Sequence, residues 1–310
     1  MNTLHIKNSG LAVSRMAYGC MRIALTWDKT KVDRPAIDRG IAMLETADAA
    51  GFTFYDHADI YCAGACEMIY GEALKKHPEW RKRHVVATKC GIRFGGDPNP
   101  SSPHRYDFSR DHILTSAEAS LKRLNIETID LYQLHRPDVL ANPEEIAEAF
   151  EVLHRAGKVR YFGVSNFKPS QVRMLQAYCK VPLLVNQVEI HLLRLDPFED
   201  GTLDQCLETG MTPLSWSPVA QGRLTEGHDP GPHPLTLQIH AELDKVAKEY
   251  GVGRAEVASA WLMAHPSNII PIIGTTKPDR IKASLDAFKV QMDRETWYRL
   301  YVTARGQKLP

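Results

Sequence analysis

Eight times along this chain of 310 residues, a short β-favouring run gives way to a longer segment of helical period. The runs fall at 15–19, 53–56, 84–89, 129–135, 159–165, 183–190, 211–217 and 268–274. The helical segments follow at 33–50, 66–76, 110–124, 143–156, 168–178, 201–209, 236–250 with 254–264, and 277–288. Parallel neighbours cannot be joined by a tight turn, so each strand needs a helix to carry the chain back. Two architectures meet that demand, a doubly wound open sheet and a closed barrel. An open sheet that binds a dinucleotide carries G-x-G-x-x-G between its first strand and helix. That motif is absent, and Gly251-Val252-Gly253 falls between two helical segments. The spacing therefore predicts an α/β chain folded as a (β/α)8 TIM barrel, one domain over 1–310. A hairpin, 4–7 and 11–14 around Asn8-Ser9-Gly10, precedes it, and an extra helix over 293–305 follows.

Charge narrows the function. Lysine and arginine total 38 against 37 for aspartate and glutamate, so no nucleic-acid or anionic-membrane partner is expected. No apolar run approaches the roughly 20 residues that cross a bilayer, and the first residues lack a signal-peptide pattern. The expected place is the cytoplasm, and the expected state a monomer or weak homo-oligomer. Six scattered cysteines without a C-x-x-C pair are expected to be reduced thiols. His57, Cys62 and Cys66 put three possible ligands within ten residues. No further group closes a tetrahedron, so no metal is expected.

Barrel enzymes place their chemistry where strands end. Here the second strand ends at Asp56, the third at Lys89 and the fourth at His135, and Tyr61 follows Asp56 in the loop. Singly, each has an ordinary reading as a cap, a solvated cation, a core imidazole or a packing ring. Jointly, on consecutive strand ends, they aim an acid, a base, an imidazole and a phenol at one spot.

The segments that carry these residues, GFTFYDHADIYCAGACE, VVATKCG and DLYQLHRPD, resemble the signatures of the aldo-keto reductase family. The likeness continues through GKVRYFGVSNF, VNQVEIHLL, LSWSPVAQGRL and IIPIIGTTKPDRI. Loop lengths and the short tail are more similar to bacterial oxidoreductases of the YdhF type than to mammalian aldose reductases. The resemblance implies NADP(H)-dependent hydride transfer between a nicotinamide and the carbonyl of a small molecule. The residue types suit that reaction. A phenol is a weak acid near pH 7, so Tyr61 as proton donor calls for activation by Lys89, itself held by Asp56. His135 would orient the carbonyl oxygen.

The resemblance also assigns the coenzyme. Ser165, Asn166 and Gln187 match residues that hold the carboxamide. Trp216 stands where a stacking tyrosine is common, and Ser217, Pro218, Val219, Gln221, Gly222 and Arg223 match the pyrophosphate stretch. Gly274, Thr275, Thr276, Lys277 and Arg280 match the adenosine-phosphate segment. Thr275 and Arg280 are the ground for NADPH over NADH. Gly274 replaces a lysine common in relatives. Ala283 and Ser284 replace an acidic residue and an asparagine, with Ser284 still counted in the cofactor set. Trp27, Phe94, Tyr106 and His191 are candidates to line the substrate pocket. The proline- and glycine-rich loop 91–108 is the expected mobile or specificity element; were it not, selectivity would fall to Trp27 or the 221–237 loop. Two other functions fit parts of the pattern: a redox-sensing regulatory subunit of the same fold, and a metal-dependent hydrolase or isomerase using Asp56 and His135.

Overall fold

Eight parallel strands close on themselves in a computed structural model that describes residues 2–227, 231 and 233–310. Part of the 221–237 loop, residues 228–230 and 232, lies outside the described residues. An antiparallel pair, β1 (Thr3–His5) and β2 (Ala12–Ser14), comes first. The barrel strands are β3 (Ala17–Gly19), β4 (Phe54–Asp56), β5 (Val85–Cys90), β8 (Ile129–Leu134), β9 (Val159–Ser165), β10 (Leu183–Glu189), β11 (Thr212–Trp216) and β12 (Ile270–Ile273). They pair in chain order, and β12 returns to β3. Between them run α1 (Arg34–Ala49), α2 (Ala65–Lys76), α3 (Arg110–Leu124), α4 (Pro143–Arg155), α5 (Pro169–Tyr178), α6 (Asp196–Glu199) and α7 (Thr202–Thr209). The chain finishes with α8 (Pro234–Tyr250), α9 (Arg254–Met263), α10 (Pro278–Ala283) and α11 (Arg294–Arg305). Among the described residues, no helix is long and apolar enough to cross a membrane.

Local chemistry explains the boundaries. The Asp33 carboxylate accepts from Ala36 N at 2.9 Å to open α1, and Asn142 accepts from Glu144 N at 3.0 Å to open α4. Both helices carry proline in the first turn, where its missing N–H costs nothing. The segment predicted as one helix over 277–288 divides. Ser284 Oγ donates to Ile281 O at 2.7 Å, and the chain tightens into a 3₁₀ turn over Ser284–Lys289.

The bore is filled from below. Ile6, Leu11 and Val13 of the opening segment pack with Ala17, Phe54, Val85, Leu131, Leu214 and Ile270, so the hairpin plugs the N-terminal end. Outside, α11 is tied to α9 by two tryptophans. Trp261 Nε1 donates to Trp297 O at 3.2 Å and Trp297 Nε1 to Trp261 O at 3.0 Å, with the indoles stacked 5.2 Å apart.

The 91–108 loop has secondary structure of its own: β6 (Ile92–Arg93) pairs with β7 (Arg105–Tyr106). Arg93 ties the hairpin to Asp97 at 2.7 Å and Asp107 at 2.8 Å. Its entry needs glycine, because a Cβ at Gly91 (φ +108°) would lie 2.0 Å from the buried Phe108 ring.

Candidate active site

The tetrad assembles at the C-terminal ends of β4, β5 and β8. Strand periodicity turns Asp56, Lys89 and His135 to the same face, Lys89 two residues beyond Ala87, the partner of Asp56, and His135 two beyond Gln133, the partner of Lys89. Lys89 is fully buried and its ammonium spends all three donors: on Asp56 Oδ2 at 2.8 Å, His57 O at 2.7 Å and Tyr61 Oη at 3.2 Å. Burial alone would lower the lysine; Asp56 and then Tyr61 outweigh it, and the ammonium holds its proton above the usual range. Tyr61 and His135 meet edge to face, ring centroids 6.0 Å apart.

Lys89 favours the Tyr61 phenolate, but burial outweighs it and the phenol is pushed up to about 12. Tyr61 is therefore a protonated phenol near neutral pH. His135 moves well below the usual imidazole range because it is buried, with Lys89 and Arg136 adding to the effect, so its ring is neutral. Its Nδ1 is buried without a partner among the described residues.

Beside the tetrad, three carboxamide candidates are linked to it and to one another. Gln187 Nε2 donates to Asp56 Oδ1 at 2.8 Å, and Ser165 Oγ to Gln187 O at 2.8 Å. Asn166, in the left-handed region at φ +62°, donates to Ser165 Oγ at 2.8 Å and His135 O at 3.2 Å, and accepts from Trp216 Nε1 at 2.9 Å. The Trp216 ring carries the Arg136 guanidinium 5.4 Å from its centroid. Neither the Asn166–Trp216 bond nor Arg136 was expected; Arg136 directly follows the histidine and was open to notice.

Past β11 the chain turns sharply, with Ser217, Ala220, Gln221 and Gly222 all at positive φ. Pro218 and Val219 lead into the 3₁₀ turn Ala220–Gly222, and Arg223 follows it. Past β12 come Gly274, Thr275 and Thr276, then Lys277 and Arg280 at the start of α10. A Cβ at Gly222 or at Gly274 would meet nothing within 4 Å, so both turns border open space. Among the described residues, Arg223, Lys277 and Arg280 pair with no carboxylate. Three uncommitted cations beside open backbone turns are a donor set that suits the phosphates of a dinucleotide.

Two candidates are buried and bonded within the chain. Ser284 is buried and its hydroxyl is spent on Ile281 O. His191 is buried in its own turn, where Nδ1 accepts from Leu193 N at 3.1 Å and Nε2 lies 3.3 Å from Glu189. The other pocket candidates are open: Trp27 is 59% exposed, Phe94 47% and Tyr106 38%. Phe94 and Tyr106 flank His104, 5.9 and 6.2 Å from its ring. All six cysteines are free and buried, and among the described residues no three His, Cys, Asp or Glu side chains gather as a metal site.

The model of the aldo/keto reductase family matches residues 15–301. The chain is similar to a 6-dehydroglucose reductase of Novosphingobium aromaticivorans, 41% identical over 98% of this chain and 95% of that one. It is similar to the oxidoreductase YdhF of Escherichia coli, 41% identical over 87% and 89%. Among solved structures it resembles the glycerol dehydrogenase AKR11B4 of Gluconobacter oxydans, with a TM-score of 0.86 at 25% identity over 99% and 97%.

Proposed function

The chain belongs to the aldo/keto reductase family, and we propose that it reduces aldehydes or ketones to alcohols with NADPH. The observation that carries this reading is the buried Asp56–Lys89–Tyr61 chain with a neutral His135 beside it. The bound coenzyme would supply the hydride. Ser165, Asn166 and Gln187 would hold its carboxamide, Trp216 its ring, and Ser217–Arg223 its pyrophosphate. Gly274, Thr275, Thr276, Lys277 and Arg280 would hold the adenosine phosphate.

The remaining work falls to the chain. His135 donates one hydrogen bond to the carbonyl oxygen and fixes its position. As negative charge gathers on that oxygen, Tyr61 releases its proton to it. The alkoxide is a far stronger base than a phenolate, so the transfer runs downhill even from a phenol near 12. Lys89 stabilises the phenolate that remains, and Asp56 keeps Lys89 charged and aimed. In a site closed to water these interactions gain strength. The likeness to two 6-dehydroglucose reductases favours an aldehyde on a hydroxylated chain as the first compound to try. The test is NADPH oxidation by the purified protein across aldehydes, ketones and quinones, sugar aldehydes among them. Coenzyme binding with no turnover on any of them would favour a redox-sensing role instead.

A further inference from the structure

Inside the barrel, nearly every polar group beneath the mouth has a partner. Lys89 has three, the two Asp56 oxygens take Lys89 and Gln187, and Ser165 bonds to Gln187 O and Asn166. Two groups on the inward strand faces do not. They are the Gln133 amide, with both its nitrogen and its oxygen unpartnered among the described residues, and His135 Nδ1. The other buried unpartnered atoms lie outside the bore. His57 packs on Tyr70 of α2 at 4.8 Å, Asp59 senses Glu67 of α2, and Glu242 is on α8.

Gln133 is fully buried. It lies two residues before His135, so on β8 the two side chains leave the same face one above the other. Room for it comes from its neighbour. A Cβ at Gly163 would lie 3.4 Å from Gln133 Cγ and 2.4 Å from Val185 Cγ2, so only glycine fits. A buried primary amide without partners is costly, and Leu131, two residues below, shows that an apolar side chain also fits this face. The two unsatisfied groups answer each other's need.

We propose that Gln133 is a positioning residue that donates to His135 Nδ1, through one bound water or after a turn of its amide, and so holds the histidine in its Nε2–H tautomer. This rests on the reductase reading above. A neutral imidazole carries one proton, and whatever faces one nitrogen decides which nitrogen keeps it. A donor at Nδ1 leaves the proton on Nε2, where it can point at a carbonyl oxygen. The amide dipole has a reason to turn that way. Lys89 is the cross-strand partner of Gln133, and the positive field of its ammonium, whose donors are spent elsewhere, favours the amide oxygen on its side and leaves the NH₂ end for His135.

The test is ¹⁵N NMR of histidine-labelled protein without substrate, with the His135 signal assigned by its loss in His135→Ala. Wild type should show the proton on Nε2. Gln133→Met, of similar shape, should give a mixture of tautomers and a kcat lowered by about fivefold to tenfold, the worth of roughly one hydrogen bond, with NADPH affinity within about twofold. Gln133→Glu offers only acceptors and should move the proton to Nδ1, with a larger loss. Packing alone would change Tm and leave the tautomer as it is. A wild-type proton on Nδ1, or an unchanged tautomer in both variants, overturns the proposal. Should Gln133→Met not fold, wild type and Gln133→Glu decide. If wild type reduces no carbonyl compound, the reductase reading falls, while the tautomer still judges this assignment.

Discussion

The floor of the barrel mouth and its rim are built in opposite ways. On the floor, Asp56, Lys89, Tyr61, Gln187, Ser165 and Asn166 form one hydrogen-bonded network. On the rim, Trp27, Phe94 and Tyr106 expose large apolar faces, and among the described residues Arg223, Lys277 and Arg280 have no carboxylate partner. The floor sits on strand ends that the barrel holds rigid, and the rim on turns and loops. The contrast teaches that the proton-handling groups are preorganised, whereas the rim keeps its contacts for whatever arrives.

The largest effect should come from the floor. Tyr61→Phe is expected to lower kcat by about 10²- to 10⁴-fold, the range of a lost general acid, while NADPH affinity by fluorescence titration stays nearly unchanged. Lys89→Met should cost comparably and also lower Tm, since it leaves Asp56 buried without its cation. Most of wild-type turnover surviving in Tyr61→Phe would break the division between floor and rim.

Next comes a rim cation. Arg280→Ala should weaken NADPH about ten- to a hundredfold and NADH little, because a charge-assisted contact to a phosphate is worth roughly 1.5–3 kcal/mol. Equal losses for both coenzymes would make Arg280 a structural residue. Smaller still is the hairpin of the 91–108 loop. Shortening 95–103 should reorder the preferred aldehydes, mainly through KM, with kcat on the best substrate within about tenfold. An unchanged ranking would move selectivity to Trp27 or elsewhere.

The smallest effect lies behind the floor. Burial, then Glu67, pushes the Asp59 carboxyl up to about 8 from an ordinary 3.8. Between those values the folded state keeps a proton that the unfolded chain has lost, so this group removes stability as pH rises from 4 to 8. Asp59→Asn should therefore raise Tm by about 2–5 °C at pH 8 and by nearly nothing at pH 4, by scanning fluorimetry. A gain of equal size at both would refute the titration.

The barrel was legible because eight strand–helix alternations admit few folds, and the tetrad because strand periodicity aims Asp56, Lys89 and His135 at one place. What could not be read depends on surroundings rather than type. The weak acidity of Tyr61 follows from burial, which no spacing reveals. Ser284 and His191 are polar residues at expected positions, yet a hydrogen bond to a nearby carbonyl or turn takes each away. The break in the 277–288 helix has the same local cause. Gln133 was within reach, since the alternation that turns His135 inward turns it inward too.

The paired indoles of Trp261 and Trp297 have an optical consequence. Two chromophores 5.2 Å apart and 14° from parallel couple their transitions, and in a chiral frame such a pair gives a near-ultraviolet circular dichroism couplet. One indole rides on α9 and the other on α11, so the couplet reports whether the last helix is seated. Trp216 lies at the mouth, with Trp27 on its rim, and emission there answers to what occupies the site. The molecule thus carries two separate native reporters, one for the closure of its C-terminal end and one for the filling of its mouth.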